Sequence, residues 1–499
     1  MEAGSQTVTQ LDITATDRAS LAAELRTLLP AESLLMEQED LYPYESDALT
    51  AYRRLPLLVC LPETVEQVQN VLRVCHQRQV PVVARGAGTG LSGGALPHSE
   101  GVLLSLAKFT RVLEVDADNR LARVEPGVRN IVVSEVAAPY GLFYAPDPSS
   151  QIACTIGGNV AENSGGVHCL KYGLTVHNLL ALKIVTMEGE LLEIGTAGLE
   201  YPGYDLLALM TGSEGLLGVI VEATVRLLPK PEAVQVMLAA FDDIGQAADA
   251  VGHIIEQGII PAGLEMMDRP AIRAAEAYAK AGYPLDAAAL LLCELDGAAE
   301  AVGAQVDQVR ALLEQAGATE IRMASDAAQR QLFWSGRKAA FPAVGRLAPD
   351  YYCMDGTIPR LKLAQVLRQI TAWSRDYGLA VANVFHAGDG NLHPLILYDA
   401  NVEGELERVE EFGGKILELC IKVGGTITGE HGVGVEKLNQ MCVQFSAAEL
   451  EQMHAIKFAF DGRGLLNPGK AVPTLHRCAE FGAMHVHRGA LSFPELERF

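Results

Sequence analysis

Imidazole and carboxylate side chains stand between glycines in two short segments of the carboxy-terminal half of the chain. The first segment reads FHAGDGNLH over residues 385–393, and the second reads TGEHGVG over residues 428–434. His386 ends one predicted strand and His393 begins the next, and the glycines between them allow a hairpin that brings the two rings together. Glu430 in the second segment adds a carboxylate. Two imidazoles and one carboxylate are typical of a catalytic site for a divalent ion.

His431 stands next to Glu430 and is the candidate general base of such a site. With Glu430 turned toward the ion, the ring of His431 projects to a different side, toward a bound substrate. An imidazole titrates near neutrality and can accept a hydroxyl proton, and an ion that holds the hydroxyl oxygen lowers the pKa of that hydroxyl. These residues alone fit oxidation of a substrate hydroxyl and also fit metal-assisted hydrolysis. Other parts of the chain must decide between these two reactions.

Three glycine-rich tracts lie in the amino-terminal half, over residues 85–95, 146–166 and 211–220. Loops of this kind turn successive backbone N–H groups toward an anion such as a pyrophosphate. A Rossmann fingerprint must open a helix, but the strand predicted at 102–106 begins too soon after the first tract to leave room for one. The tracts therefore predict a long, flat ligand held by another fold. Metal-assisted hydrolysis does not need such a ligand and is disfavoured.

The composition of the chain limits the kinds of protein to which it can belong. A chain of 499 residues is too long for one core, because cores stop growing near about 250 to 300 residues, so two or three domains are expected. The net charge of -23 disfavours nucleic acid as a partner. With no apolar leader or membrane-length apolar run, the protein is expected to be soluble and cytoplasmic. Its nine scattered cysteines, without a C-x-x-C pair, predict reduced, buried thiols.

The ordered set of motifs resembles one known family. The glycine tracts and the Lys171-Tyr172-Gly173 segment resemble the FAD-binding half of the vanillyl-alcohol oxidase type flavoproteins. The segments with His386, His393 and Glu430 resemble the carboxy-terminal half of the FAD-dependent D-2-hydroxy-acid dehydrogenase branch. The resemblance covers residues 55–472 and implies an α+β fold.

The domains implied by this resemblance follow changes in residue composition and in the pattern of predicted helices and strands along the chain. They are a helical arm over residues 1–55, an FAD-binding domain of the PCMH type over 56–231, a substrate or cap domain over 232–473, and a flexible or docking tail over 474–499. The last segment of the substrate or cap domain, about 426–473, returns to the flavin. The tail contains His476, His485 and His487 beside Cys478.

FAD is the cofactor that the resemblance implies, with its pyrophosphate on residues 86–94. A non-covalent attachment is expected because the first tract has no histidine or cysteine to carry a bond, although His168 and Cys169 stay as candidates for one. The residues assigned to FAD in this way are Arg85, Gly86, Ala87, Gly88, Thr89, Gly90, Pro146, Asp147, Gly157, Gly158, Asn159, Asn163, Gly165, Gly166, Tyr172, Gly173, Glu214, Gly215, Gly218, Val219, Ile220 and Asn467.

The resemblance also assigns the reaction centre. It gives one divalent ion (zinc, alternatively iron or manganese) to His386, His393 and Glu430, and substrate contacts to Arg337, Asn391 and His431. Arg337, in the segment FWSGRK, matches the clamp for the substrate carboxylate, to which a planar guanidinium binds through two parallel hydrogen bonds. The implied reaction moves the hydroxyl proton to His431 and a hydride from C2 to flavin N5, which yields a 2-oxo acid.

One departure from the family concerns the size of the substrate. Relatives that oxidise 2-hydroxyglutarate have a lysine shortly before an Asp-x-x-x-Pro motif, where it holds the second carboxylate. Here the motif begins at Asp355, and Cys353 stands where the lysine would be. A second carboxylate would lack a cation, which favours a short monocarboxylate such as glycolate or D-lactate.

The electrons of reduced flavin must leave the chain. The sequence has neither a cysteine cluster for an iron–sulfur centre nor a nicotinamide loop. The resemblance therefore implies a flavin-like and an iron–sulfur partner subunit that lead to membrane quinone, with membrane contact only through those partners. A stand-alone D-lactate dehydrogenase is one alternative. A non-catalytic flavin-domain scaffold is another, which the complete set of metal and base residues disfavours.

Overall fold

A computed structural model of the protein describes residues 17–198 and 203–478. In chain order its strands are β1 (Leu34–Leu35), β2 (Leu58–Cys60), β3 (Val82–Arg85), β4 (Val102–Ser105), β5 (Val112–Asp116), β6 (Leu121–Val124), β7 (Leu142–Phe143), β8 (Leu179–Val185), β9 (Leu191–Gly195), β10 (Val219–Arg226), β11 (Leu228–Pro229), β12 (Ala233–Phe241), β13 (Gly263–Asp268), β14 (Ala289–Gly297), β15 (Glu320–Met323), β16 (Asp350–Cys353), β17 (Val381–Phe385) and β18 (Pro394–Tyr398). Its helices are α1 (Arg18–Leu25), α2 (Gln38–Leu41), α3 (Val65–Arg78), α4 (Asn130–Ala137), α5 (Ile156–Glu162), α6 (Cys169–Tyr172), α7 (Leu206–Met210), α8 (Ile244–Glu256), α9 (Arg269–Ala279), α10 (Ala299–Gln315), α11 (Ala327–Lys338), α12 (Ala340–Val344), α13 (Leu363–Tyr377), α14 (Glu405–Lys422), α15 (Leu438–Gln444), α16 (Ala447–Phe460) and α17 (Leu475–Cys478).

A four-stranded sheet in the order β1-β2-β4-β3 begins the fold. Strands β2, β4 and β3 run parallel. Helix α3 crosses from β2 to β3; it starts at the Thr64 cap and buries an apolar face against the sheet. The first glycine tract runs from β3 to β4 without forming a helix, as the sequence predicted.

The amino-terminal arm is part of this sheet as well as helical. Asp17 caps α1 by accepting hydrogen bonds from the backbone N–H groups of Ala19 and Ser20. The arm then forms β1, which pairs antiparallel with β2 through Leu34 and Cys60. The sequence predicted a helical arm without this strand, because the sequence signal of a two-residue strand is too short to recognise.

Two further sheets position the site. The second sheet is antiparallel, in the order β5-β6-β10-β8-β9, and helix α5 packs on β10. The third has seven strands in the order β15-β12-β14-β13-β17-β18-β16. Helices α8, α10, α13 and α14 contribute to the core on one face of this sheet, and α9 and α12 to the core on the other. The predicted α+β architecture is confirmed.

The carboxy-terminal segment returns to the first sheet. The backbone N–H of Val82 donates to the carbonyl of Leu465, and the N–H of Asn467 donates to the carbonyl of Val82. Residues 465–467 therefore extend along β3, next to the start of the first glycine tract.

The prediction that every cysteine is reduced is wrong for one pair. Cys442 in α15 and Cys478 in α17 form a disulfide, with their Cα atoms 5.1 Å apart. The pair is separated by 36 residues, and only the packing of α17 on α15 brings it together. The other seven cysteines are free and buried. His485, His487 and the rest of the tail after Cys478 lie outside the described residues.

Candidate active site

The hairpin of β17 and β18 brings His386 and His393 together. Their ring centroids are 5.2 Å apart, and the Nε2 atoms of both rings face Glu430 Oε1, at 3.2 Å and 2.9 Å. All three side chains are at least nine-tenths buried. Two imidazoles and a carboxylate that converge in this way form a candidate site for a divalent ion.

Asp355 fixes the loop that carries Glu430 and His431. Its carboxylate accepts hydrogen bonds from the backbone N–H groups of both residues and from the Thr428 hydroxyl, and Lys437 Nζ lies 2.9 Å away. Burial alone would raise the pKa of Asp355, but the charge of Lys437 holds that pKa well below its usual value. A buried ion pair therefore anchors the loop.

Glu265 in β13 lies behind the metal site. Its Oε1 is 2.7 Å from His386 Nδ1, and its Oε2 is 2.6 Å from Arg337 Nη2. Burial would raise the pKa of Glu265, but His386 and Arg337 hold it below its usual value. Glu265 was not among the residues predicted from the sequence. The available signal was an acidic residue inside the apolar segment GLEMMD.

His431 lies at the boundary between the metal site and the open cavity. Its side chain is 21% exposed to solvent, and its Nε2 is 3.6 Å from Glu430 Oε1. Burial lowers the pKa of His431, which favours the neutral ring that a base requires. A second potential metal group combines His431 with His393 and Asp355, but Asp355 already accepts the bonds that anchor the loop, so the first group fits an ion better.

The structure brings Arg337 close to the site but not to the wall of the large cavity. The residue is 1% exposed; its Nη2 is paired with Glu265 Oε2 at 2.6 Å, and its Nε and Nη1 have no hydrogen-bond partner among the described residues. Lys338 does line the cavity, with Nζ 3.7 Å from Asp147 Oδ2. Arg337 thus has hydrogen-bond donors to offer a carboxylate, and Lys338 is a second cation nearby.

Asn391 and Cys353 flank the same hairpin. Asn391 Nδ2 donates to Asp355 Oδ1, while the buried Oδ1 of Asn391 has no partner among the described residues. Cys353 Sγ is 3.9 Å from His393 Nδ1, and burial raises the pKa of its thiol well above the usual value. The rings of Phe341 and Tyr351, with centroids 6.4 Å apart, close the cavity on this side.

A cavity of about 550 Å³ leads from the glycine tracts to His431 and Glu430. A Cβ at Gly86 would lie 2.5 Å from Thr155 Oγ1, and Gly88 has a φ of +70°, so side chains are kept out of this wall. The predicted FAD residues that line it are Arg85, Gly86, Ala87, Gly88, Thr89, Gly90, Gly157, Gly158, Asn159, Glu214, Gly215, Gly218 and Ile220. A backbone-lined cradle fits a dinucleotide with a pyrophosphate.

Other predicted FAD residues stand behind this wall or beside it: Pro146, Asp147, Asn163, Gly165, Gly166, Tyr172, Gly173, Val219 and Asn467. Several make contacts to other residues of the chain. Asp147 pairs with His168, the Tyr172 hydroxyl donates to Asp296, and Asn467 Nδ2 donates to the carbonyls of Gly94 and Glu214. Gly165 allows the backbone to lie close to the carboxylate of Glu430, because a Cβ at this position would be 2.7 Å from Glu430 Oε2.

The fold and the site together define an FAD-binding oxidoreductase architecture, and comparison with known proteins agrees. Residues 56–195 match the family described as "FAD binding domain", and residues 230–471 match "FAD linked oxidases, C-terminal domain". The fold is that of the vanillyl-alcohol oxidase or PCMH type. It is shared with 4-ethylphenol oxidase from Gulosibacter chungangensis (TM-score 0.78, 17% identity, covering 93% of this chain and 99% of that one) and with p-cresol methylhydroxylase (TM-score 0.76, 17% identity, covering 92% and 97%).

The chain belongs to the FAD-linked oxidases. It is 62% identical over 483 residues to the glycolate oxidase subunit GlcD of Escherichia coli, covering 97% of both chains. It is 39% identical to the protein of the same name from Bacillus subtilis, covering 86% of this chain and 91% of the relative. A D-lactate dehydrogenase of Archaeoglobus fulgidus is 33% identical, covering 84% and 92%.

Proposed function

We propose that the protein oxidises a short D-2-hydroxy acid, glycolate above all, to the 2-oxo acid, and that it does so as the catalytic subunit of a larger assembly. The observation that carries the proposal is the convergence of His386, His393 and Glu430 at the end of the FAD cavity. The similarity to proteins named glycolate oxidase subunit GlcD supports the choice of substrate.

The proposed chemistry assigns one role to each group. Bound FAD supplies the hydride acceptor, and a divalent ion held by the three ligands supplies positive charge beside the substrate hydroxyl. His431 takes the hydroxyl proton, which its neutral ring and its place at the cavity boundary support. Glu265 fixes the ring of His386 by accepting a hydrogen bond from its Nδ1.

Substrate size is proposed from the residues around the metal ligands. Arg337 has unused guanidinium donors for the single carboxylate of the acid. The rings of Phe341 and Tyr351 and the neutral thiol of Cys353 occupy the side next to His393, and none of these three groups offers a cation to a second carboxylate. Asn391 is proposed to bind substrate through its unpartnered Oδ1.

The domain division and the partners are also part of the proposal. The family matches support a PCMH-type domain over 56–231 and a substrate domain over 232–473. The word "subunit" in the name of the 62% identical relative supports an assembly with partner chains. We propose that these partners are a flavin-like and an iron–sulfur subunit. We also propose that membrane contact is made through those partners. Among the described helices, none is both long and apolar enough to cross a membrane.

A stand-alone D-lactate dehydrogenase is the second candidate, which the 33% identical relative favours. The test is anaerobic bleaching of the flavin absorbance of the purified chain against glycolate, D-lactate, L-lactate and D-2-hydroxyglutarate, with metal content measured on the same sample. Fastest bleaching by glycolate supports the proposal, and fastest bleaching by D-lactate supports the alternative. Faster bleaching by D-2-hydroxyglutarate than by either short acid would overturn both.

A further inference from the structure

Two carboxyl groups, those of Glu162 and Glu214, lie in the wall of the FAD cavity. Both approach Gly94 of the first glycine tract: a Cβ there would lie 2.8 Å from Glu162 Oε1 and 3.8 Å from Glu214 Oε2. Both also approach Gly432, where a Cβ would meet Glu162 Oε2 and, at 2.8 Å, Glu214 Oε1. The acid pair therefore lies between the cofactor wall and the loop that carries His431.

The two carboxyl groups have different surroundings. Glu214 accepts hydrogen bonds from the backbone N–H groups of Val433 and Gly434, at 2.6 Å and 2.7 Å. Two backbone donors stabilise an ionised carboxylate. Glu162 Oε2 is buried and has no hydrogen-bond partner among the described residues. An ionised carboxylate without donors is costly to bury, so the geometry favours the proton on Glu162.

The charged residues around the pair also favour a proton on Glu162. Burial, then the nearby Glu214 and Asp47, raise the pKa of Glu162 well above its usual value, while Lys437 and Lys470 act in the opposite direction. Burial also raises the pKa of Glu214, and its two backbone donors lower it. Two adjacent carboxyl groups do not both ionise readily, which favours a single proton on the pair.

We propose that Glu162 and Glu214 share one proton, placed on Glu162 Oε2, and that Glu162 Oε1 accepts a hydrogen bond from a hydroxyl or N–H group of bound FAD. Glu162 is then a positioning residue for the cofactor. Through Glu214, which holds Val433 and Gly434, it also connects FAD binding to the loop that carries His431. This proposal depends on FAD as the cofactor and not on the identity of the substrate.

The test compares Glu162→Gln with Glu162→Leu in apoprotein, with FAD affinity read from quenching of FAD fluorescence. A glutamine keeps both functions, since its amide can donate to Glu214 and its carbonyl can accept from FAD. Glu162→Gln is expected to bind FAD like the wild type at pH 7. Glu162→Leu is expected to bind about five- to tenfold more weakly, the size of one hydrogen bond. Wild-type affinity in Glu162→Leu, or equal loss in both variants, would overturn the proposal.

A pH series separates the shared proton from a purely structural role. As pH rises from 7 to 9.5, the wild type is expected to lose FAD affinity because a second anion forms beside Glu214, whereas Glu162→Gln cannot form that anion. Burial lowers the pKa of Lys470 to about 7, and its charge also acts on Glu162, so the two proteins are compared between pH 8 and 9.5, above the titration of Lys470. Parallel pH profiles would show that no proton is shared. FAD affinity is measured without substrate, so failure here leaves the proposed reaction standing.

Discussion

Glu265 Oε1 lies 2.7 Å from His386 Nδ1, across a sequence separation of 121 residues. This contact determines which ring nitrogen of His386 faces Glu430, because a ring that donates from Nδ1 leaves Nε2 for an ion. Glu265 also contacts Arg337 through its other oxygen. One buried carboxylate thus orients a candidate metal ligand and a candidate substrate clamp.

Replacing Glu265 by glutamine is predicted to weaken metal binding by about 10- to 100-fold, the usual effect of removing a carboxylate that orients a metal-binding histidine. FAD content is expected to stay unchanged, because Glu265 does not line the FAD cavity. Metal affinity is measured by competition with a chromogenic chelator. Asp268→Asn is the control, since Asp268 is buried in the same strand and bonds Asn383 but none of the three ligands. Equal metal affinity in Glu265→Gln and wild type would contradict the assigned role.

Replacing His431 by alanine is predicted to leave FAD and metal bound and to slow flavin reduction by about 10²- to 10⁴-fold, the range that a positioned base contributes. The measurement is stopped-flow bleaching by glycolate without oxygen. Glu430→Gln is the comparison, because it removes a proposed ligand and is expected to lose metal as well as activity. Rapid bleaching of the His431→Ala protein would refute the assignment of the base.

The hairpin was predictable from sequence because its signals are local. His386 and His393 flank a short glycine turn, and strand periodicity on either side indicated β17 and β18. The expectation that Glu430 joins them came from residue chemistry, since a third ligand was needed. The lack of a helix after the first glycine tract could be predicted for the same reason: the next strand begins too soon.

The groups that support the site could not be predicted, because their partners are distant in the sequence. Lys437 binds Asp355 across 82 residues, and neither residue type nor spacing indicates the pair. The disulfide between Cys442 and Cys478 was missed because scattered cysteines give no pairing signal. The contact of the Tyr172 hydroxyl with Asp296 is of the same kind, since the two residues are 124 positions apart in the sequence.

Substitution of Arg337 by lysine keeps the charge but removes the planar fork, and it is predicted to lower kcat/KM for glycolate by about 10- to 100-fold, as expected when charged hydrogen bonds are lost. Lys338→Met is the matched control: it removes the neighbouring cation, which pairs with Asp147, and a change of less than about threefold is expected. Steady-state rates with an artificial electron acceptor provide both values. A larger loss in Lys338→Met than in Arg337→Lys would make Lys338 the clamp.

His168 connects residues of the two family-matched regions, and its charge predicts how stability depends on pH. Its Nδ1 is 2.9 Å from Asp147 Oδ2, and its Nε2 is 3.0 Å from Glu294 Oε1. Burial would lower the pKa of His168, but the carboxylates of Asp147 and Glu294 outweigh burial and raise it well above its usual value. The protonated ring is therefore bound more tightly in the folded protein than in the unfolded chain.

The sign of the effect follows from this raised pKa. The stabilisation by His168 is fully present below the unfolded pKa of about 6.5 and is lost as pH rises through the higher folded pKa. The free energy of unfolding of the wild type is thus predicted to fall, relative to that of His168→Gln, as pH increases above about 6.5. Urea unfolding of both proteins at several pH values measures the difference. If the difference stayed constant from pH 6 to 9.5, the ring would not carry a stabilising charge, and the contact between Asp147 and Glu294 would depend on neutral hydrogen bonds alone.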